Sequence, residues 1–233
     1  MPHLGTLKLD DKGNEIQYSV KVSRSKYIYI RFKPDLKLEV VLPSFCLENP
    51  EEIVEKKKGW IAKKYYELLQ RRSIYNGKEL MIDGKIYPLT IENSKEDCFK
   101  LTNGSAIIKT KDGNVIPIIK SWMKKRTMKY LNKELPLYSK RLNIEYKNFY
   151  VKDLKKWGYC NRKRELFFNL QLAALSKRLR EYVALHELIH NSEFNHSKKF
   201  HAILREHCPD YREREHLLNK IVIMKEMRSP KNG

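Results

Sequence analysis

The chain has no C-x-x-C pair: its four cysteines, Cys46, Cys98, Cys160 and Cys208, stand far apart. That spacing excludes a zinc ribbon and a thioredoxin-type redox motif. Widely spaced thiols in a chain without a secretion signal fit a reducing compartment, so the expected location is cytoplasmic. No stretch is apolar for the length of a bilayer, and the opening residues MPHLGTLKLDDKGNEI lack an apolar signal core, so no membrane association is expected. Glycine is scarce, nine in 233 residues, and none builds a phosphate-cradling loop. Internal repeats and low-complexity segments are missing as well. Acidic residues are few, 28 against 48 lysines and arginines, which leaves a net charge of +20. Such a surplus attracts polyanions, so nucleic acid bound through a basic surface is one partner to consider. The charges are spread along the chain, which equally suits a basic, well-solvated surface.

What is present suffices for a real core, because 41% of the residues are apolar. The N-terminal third alternates like strands. Tyr27–Phe32 and Lys37–Leu42 read as a hairpin turning at Pro34-Asp35. Asn49-Pro50-Glu51-Glu52 opens a helix to about Arg72, with Ile53, Trp60, Ile61, Leu68 and Leu69 as inward positions. Short strands follow at Lys78–Ile82, Lys85–Ile91 and Ala106–Thr110, punctuated by Asp83-Gly84 and Asp112-Gly113. A lysine-rich helix fits Ile118–Leu142, and Pro136 is expected to kink it or end its first part. Strands at Ile144–Val151 and Glu165–Leu170 precede a helix capped by Ser176. Ser197 caps the next, and a last helix begins near Asp210 and fades into the polar tail Arg228–Gly233. The expected class is α+β, with a boundary near Thr110–Val115: a β-rich region with a helix over 1–112, then a metal-binding domain over 113–233.

The chemistry sits in Leu185-His186-Glu187-Leu188-Ile189-His190, an H-E-x-x-H inside a helical pattern. Histidines four apart share one helical face, so both imidazoles can reach one ion. Glu187 is rotated by about one hundred degrees from His186. It is poorly placed to be a ligand and well placed to act on a water held by the ion. Val183, Leu185, Leu188 and Ile189 would bury the rest of the helix. A chain of this length shows the motif by chance at roughly the one-percent level, and the bland alternative is two buried histidines that merely satisfy their hydrogen bonds. A catalytic zinc takes three protein ligands and leaves one position open. His196, six residues after His190, is the best third ligand, with Glu193, Glu206, His201 and His207 as competitors. Three imidazoles and an open position suit zinc, although nickel, cobalt or manganese could occupy the same set.

These segments resemble the YgjP-like zinc metallopeptidases, relatives of the SprT-like and wider zincin groups. The likeness rests on Trp157-Gly158-Tyr159-Cys160, Leu166-Phe167-Phe168-Asn169-Leu170, Tyr182 through His190, Asn195-His196-Ser197-Lys198-Lys199-Phe200 and Cys208-Pro209-Asp210-Tyr211. Their order and spacing follow the family's W-G-S-C, V-x-H-E-L-x-H, N-H-S-x-x-F and C-P-D-Y. Looser similarity extends to Ser23–Lys26, Leu42-Pro43 and Lys58–Ile61. The resemblance implies a minimal zincin-like core, zinc on His186, His190 and His196, and a catalytic Glu187. It also implies that strand Glu165–Leu170 is the edge strand to which an extended peptide could add. Tyr159 departs from the family's small serine. It would narrow the cleft, donate to an oxyanion, or simply pack.

Three functions are compatible with these residues. The first is a zinc metallopeptidase acting on a peptide or protein substrate, with Glu187 as general base. The second is a metal-dependent phosphohydrolase of nucleoside triphosphates, permitted by the resemblance but lacking a glycine loop. The third is a basic nucleic-acid-binding protein with a structural metal, for which Glu187 has no evident use. The water-activating pattern favours the first.

Overall fold

The computed structural model describes residues 3–10, 14–33 and 36–224. The expected Pro34-Asp35 turn and the polar tail after residue 224 lie outside them. Two compact units divide between Arg71 and Arg72.

In the first unit, β1 (His3–Lys8), β2 (Glu15–Ser23), β3 (Tyr29–Phe32) and β4 (Leu38–Pro43) form one sheet in the order β1-β2-β4-β3. The hairpin strands β3 and β4 are antiparallel as expected, whereas β2 and β4 run parallel with Tyr18 opposite Leu38. Alternation selects one face: Ile16, Tyr18 and Val20 of β2 are buried with Leu38, Val40 and Leu42 of β4. That face meets Ile53, Val54 and Ile61 from α1 (Pro50–Lys56) and α2 (Lys58–Leu69). Asn49 caps α1 by accepting the Glu51 N–H at 3.0 Å. The expected single helix is thus two, interrupted at Lys57 with φ −103° and ψ 4°. The break resets the helical phase, so Trp60 and Leu69 point outward, 49% and 50% exposed, contrary to the expectation that they face inward.

In the second unit, β5 (Arg72–Ser73) and β6 (Glu79–Ile82) lead into β7 (Lys85–Asn93), β8 (Cys98–Leu101) and β9 (Ala106–Thr110). The last four form a sheet ordered β6-β7-β9-β8. Asp83 and Gly84 turn β6 into β7 with φ of 50° and 79°, the double left-handed geometry that tight hairpins use. Then α3 (Val115–Leu142) buries a stripe at Val115, Ile119, Met123, Thr127, Leu131 and Leu135. The helix continues through Pro136, which neither ends it nor divides it. The proline is on the exposed side, where water can serve the carbonyl it leaves unbonded. Ile82, Ile108, Ile119, Phe168 and Leu185 belong to one core. The change of pattern near residue 112 therefore falls within this unit, between β9 and α3, while the compact units part at residue 71.

The remaining elements carry the chemistry. β10 (Asn148–Lys152), β11 (Gly158–Cys160) and β12 (Glu165–Asn169) form a sheet ordered β10-β12-β11. Strand β12 is therefore central, pairing parallel with β10 and antiparallel with β11. The expectation that it is the edge strand is corrected: the edge beside the metal helix is β11, three residues long and too short for alternation to reveal. A 3-10 turn over Leu170–Ala174 follows, held by Thr127, whose hydroxyl donates to the Leu170 carbonyl at 2.7 Å and accepts the Ala173 N–H at 3.0 Å. Helices α4 (Lys177–Ile189), α5 (Lys198–His207) and α6 (Tyr211–Asn219) follow, and β13 (Ile221–Val222) pairs with β5. Ser176 and Ser197 cap α4 and α5 through the Leu179 and Phe200 N–H groups, as expected. No helix of the described residues is long and apolar enough to cross a membrane. The architecture is α+β.

Candidate metal centre

Helix α4 buries Val183, Leu185, Leu188 and Ile189 completely or nearly so, which fixes the rotation of the motif. His186 lies in its last turn and His190 caps its end in helical geometry. The chain then leaves the helix and returns His196 to the same place. The Nε2 atoms of His186 and His190 are 3.2 Å apart, and those of His186 and His196 are 3.0 Å apart. Two nitrogens bound to a tetrahedral zinc at about 2.0–2.1 Å lie about 3.3–3.4 Å from one another. The spacing is close to that of a ligand set.

Protonation agrees with this arrangement. Burial, and then His190 and His196, push His186 down to about 3. Burial also lowers His190. The neutral imidazoles of His186 and His190 therefore face the point that His196 also reaches, an arrangement that a divalent cation satisfies. His190 Nδ1 donates to the Glu193 carbonyl at 3.0 Å, which assigns the lone pair to its Nε2. The His186 Nδ1 is buried without a partner among the described residues. Beneath all three rings lies Phe200, itself fully buried, with centroids 5.0, 4.8 and 4.7 Å from His186, His190 and His196.

The competing ligands are elsewhere. The Glu193 carboxylate pairs with Lys199 at 2.5 Å, so this residue supports His190 through its backbone only. Glu206 is exposed beside His207 at 4.0 Å. The His201 ring is 6.2 Å from His196 and outside the converging set. His186, His190 and His196 are the group of the described residues whose ligand atoms cluster for a metal.

Glu187 is 6% exposed. Burial pushes its carboxyl up to about 8, against an opposing pull from Lys156. Its neighbour on the edge strand is Gly158, where a Cβ would fall 2.8 Å from Glu187 Cγ and 2.9 Å from Oε1. Only glycine leaves that room, and sequence reasoning passed over it, although a glycine in a strand is a signal of close approach. Asn191 and Asn169 were missed too. Asn191, 4% exposed, donates to the Glu145 carbonyl at 2.9 Å and accepts from the Cys160 thiol at 2.7 Å, fastening β11 to the end of α4. Asn169 donates to the Leu154 and Lys156 carbonyls at 2.7 and 3.1 Å and so shapes the loop before β11. An asparagine closing the apolar run Leu166-Phe167-Phe168 was the available hint.

Tyr159 packs. It stacks on Phe167 at 4.5 Å with planes 4° apart, and the Lys156 ammonium lies 4.5 Å from its ring centre. Strand alternation puts it on the face opposite Gly158 and Cys160, away from Glu187, so it is no donor to an oxyanion there.

Comparison with curated proteins and with solved structures gives no match. The family model described as YgjP-like, metallopeptidase domain, matches residues 26–221, a span that takes in the histidine cluster, Glu187 and the edge strand. On that match the chain belongs to the YgjP-like metallopeptidase family.

Proposed function

We propose that the protein is a zinc-dependent peptidase in which His186, His190 and His196 hold the ion and Glu187 is the general base. The observation that carries this reading is the convergence of three imidazole nitrogens, with His186 and His190 held neutral by burial, beside a buried carboxyl. Bound there, zinc would supply Lewis acidity that makes water acidic and polarises a carbonyl. Glu187 takes the proton of the attacking water as its oxygen adds to the carbonyl carbon. The same carboxyl gives that proton to the leaving amine when the C–N bond breaks. A base that titrates near neutrality serves both transfers, and burial keeps Glu187 in that range.

The edge strand β11 offers the substrate a rail. Trp157 accepts from the Asn169 N–H, and Asn161 donates to the Glu165 carbonyl, at 2.9 and 3.0 Å. Antiparallel alternation then turns the amide and carbonyl groups of Gly158 and Cys160 away from β12. An extended peptide can pair with them and lie beside Glu187. The four free thiols support a reducing, cytoplasmic setting.

The test is cleavage of casein by purified zinc-loaded protein, with Glu187→Gln as control. Loss of general-base catalysis should lower the rate by about 10²–10⁴-fold. Cleavage that survives the substitution would remove Glu187 from the mechanism.

A further inference from the structure

A second feature adjoins the metal ligands and takes no part in holding the ion. A cavity of about 750 Å³ opens beside His196 and is walled by α5 and the first turns of α6. Lys198, His201 and Arg205 fall at i, i+3 and i+7 on α5, one stripe of that helix, while Phe200 and Leu204 bury the opposite side. Tyr211 and Arg212 close the wall from α6, and Glu215 is the single carboxylate on it.

The cations in this cavity differ from those around it. Arg178 is bound by Asp210 and Glu213, Arg214 by Glu181 and Asp210, and Arg141 by Glu181. Lys198, Arg205 and Arg212 have no carboxylate within ion-pair distance among the described residues, although all three face the same space. Arg212 Nε instead donates to the Tyr211 hydroxyl at 3.2 Å. The guanidinium groups of Arg212 and Arg205 hold that phenol below its ordinary range. The buried Nδ1 of His201 is without a partner among the described residues as well. Two forked guanidinium groups, an ammonium and an aromatic floor, with no ion pair to a carboxylate among the described residues, make a receptor for an anion from outside.

We infer that this cavity is a subsite for a peptide carboxylate, seated against Lys198, Arg205 and Arg212 while the neighbouring peptide bond lies at the histidine cluster. The inference rests on the peptidase reading above. A carboxylate is chosen over a phosphate chain because no glycine lines the cavity, so no phosphate-cradling glycine loop is there. It can come from an Asp or Glu side chain or from the substrate's own C-terminus, and the two sources can be told apart.

The experiment uses zinc-loaded Glu187→Gln protein, which holds substrate without turning it over, and fluorescein-labelled peptides that differ only by Glu or Gln at each position in turn. Each is made with a free and with an amidated C-terminus, and binding is read by fluorescence anisotropy. The acidic peptide is expected to bind about ten-fold more tightly than its neutral twin, near the lower end of what one hydrogen bond to a charged group contributes. Arg205→Gln and Arg212→Gln should collapse that ratio, and Arg205→Lys should restore part of it. Both arginines are exposed, so the variants are expected to fold, and circular dichroism checks this. A preference that follows the side chain assigns an internal acidic residue, and one that follows the free terminus assigns the terminal carboxylate. Equal binding of acidic and neutral peptides overturns the subsite. So does displacement by a nucleoside triphosphate that is tighter than displacement by the acidic peptide. Wild-type cleavage assays on the same peptides separate the two readings. Cleavage without charge preference leaves the peptidase and removes the subsite, whereas preferential binding with no cleavage of any peptide removes the peptidase and keeps the carboxylate site.

Discussion

Gly158 and Glu187 approach so closely that a single methyl group on residue 158 would lie 2.8 Å from the Glu187 Cγ. The Glu187 carboxyl is thus positioned by the absence of a side chain on the edge strand. Gly158→Ala should push the carboxyl aside while leaving the histidines alone. A displacement of about 1 Å at a reacting group costs about a hundred-fold in rate. The expected outcome is a fall of that order in kcat/KM with full zinc content by elemental analysis. Unchanged turnover would show that Glu187 tolerates the move and that its placement is not tuned.

On the proposed roles, substituting a clustered histidine and substituting Glu187 should look different. His190→Ala deletes one of three converging nitrogens, so the purified protein is expected to lose its zinc. Glu187→Gln should keep it. The same contrast should appear in melting curves. A chelator should lower the melting temperature of wild type and of Glu187→Gln, because an ion that binds only the folded state adds to its stability, about 4 kcal/mol at a thousand-fold excess over Kd. It should leave His190→Ala unmoved. A His190→Ala protein that retains one zinc per chain would break the proposed ligand set.

The convergence of His186, His190 and His196 could be read from spacing because a helix fixes the i, i+4 geometry, and because His196 sits at a loop length that returns to the helix end. Most element positions in the second unit were legible for similar reasons: Asp83-Gly84, Ser176 and Ser197 are local signals with local consequences. Misreadings arose where tertiary context decides. Lys57 breaks a pattern that looks continuous, and exposed Trp60 and Leu69 follow from that. Strand β11 has three residues, too few to show a period, so the edge was assigned to β12. Gly158, Asn169 and Asn191 act through partners 13 to 46 residues away, distances over which periodicity is silent. The cations of the cavity come together only through the packing of α5 beside α6, which no local pattern encodes.

The thiols give an independent check on the packing around Glu187. Burial, with Glu187 adding to it, pushes the Cys160 thiol up to about 11, and burial does the same for Cys208. Cys98 is exposed. Since the thiolate is the reacting form, iodoacetamide near pH 8 should modify Cys98 first and leave Cys160 and Cys208 largely intact, as read by peptide mass spectrometry. Asn191→Ala removes the acceptor of the Cys160 thiol and strands the Glu145 carbonyl. That substitution should cost about 1–3 kcal/mol in urea unfolding and speed alkylation of Cys160. Rapid labelling of Cys160 in the wild type would mean that β11 does not lie on α4 as described.

The helix that carries the motif is also held by an ionic network with a definite pH dependence. Asp210 accepts from Arg178 Nε at 2.8 Å and forms an ion pair with Arg214 Nε at 2.8 Å, and Arg214 continues to Glu181 on α4 at 2.8 Å. Hydrogen bonds from Arg214 and then Arg178 hold the Asp210 carboxyl far below its ordinary value, outweighing the opposing effect of burial. A carboxyl depressed in the folded state contributes stability that is complete above its unfolded pKa, about 3.9, and is lost as pH falls towards the folded one. With 34% of the side chain open to water, screening keeps the effect modest, roughly 1 kcal/mol. The melting temperature of the wild type should therefore fall by roughly 2–4 °C more than that of Asp210→Asn between about pH 5 and pH 3. At neutral pH the variant should start lower by a similar amount. Parallel curves for the two proteins across that window would show that Asp210 titrates alike in the folded and unfolded chain, and that the α4–α6 contact rests on packing alone.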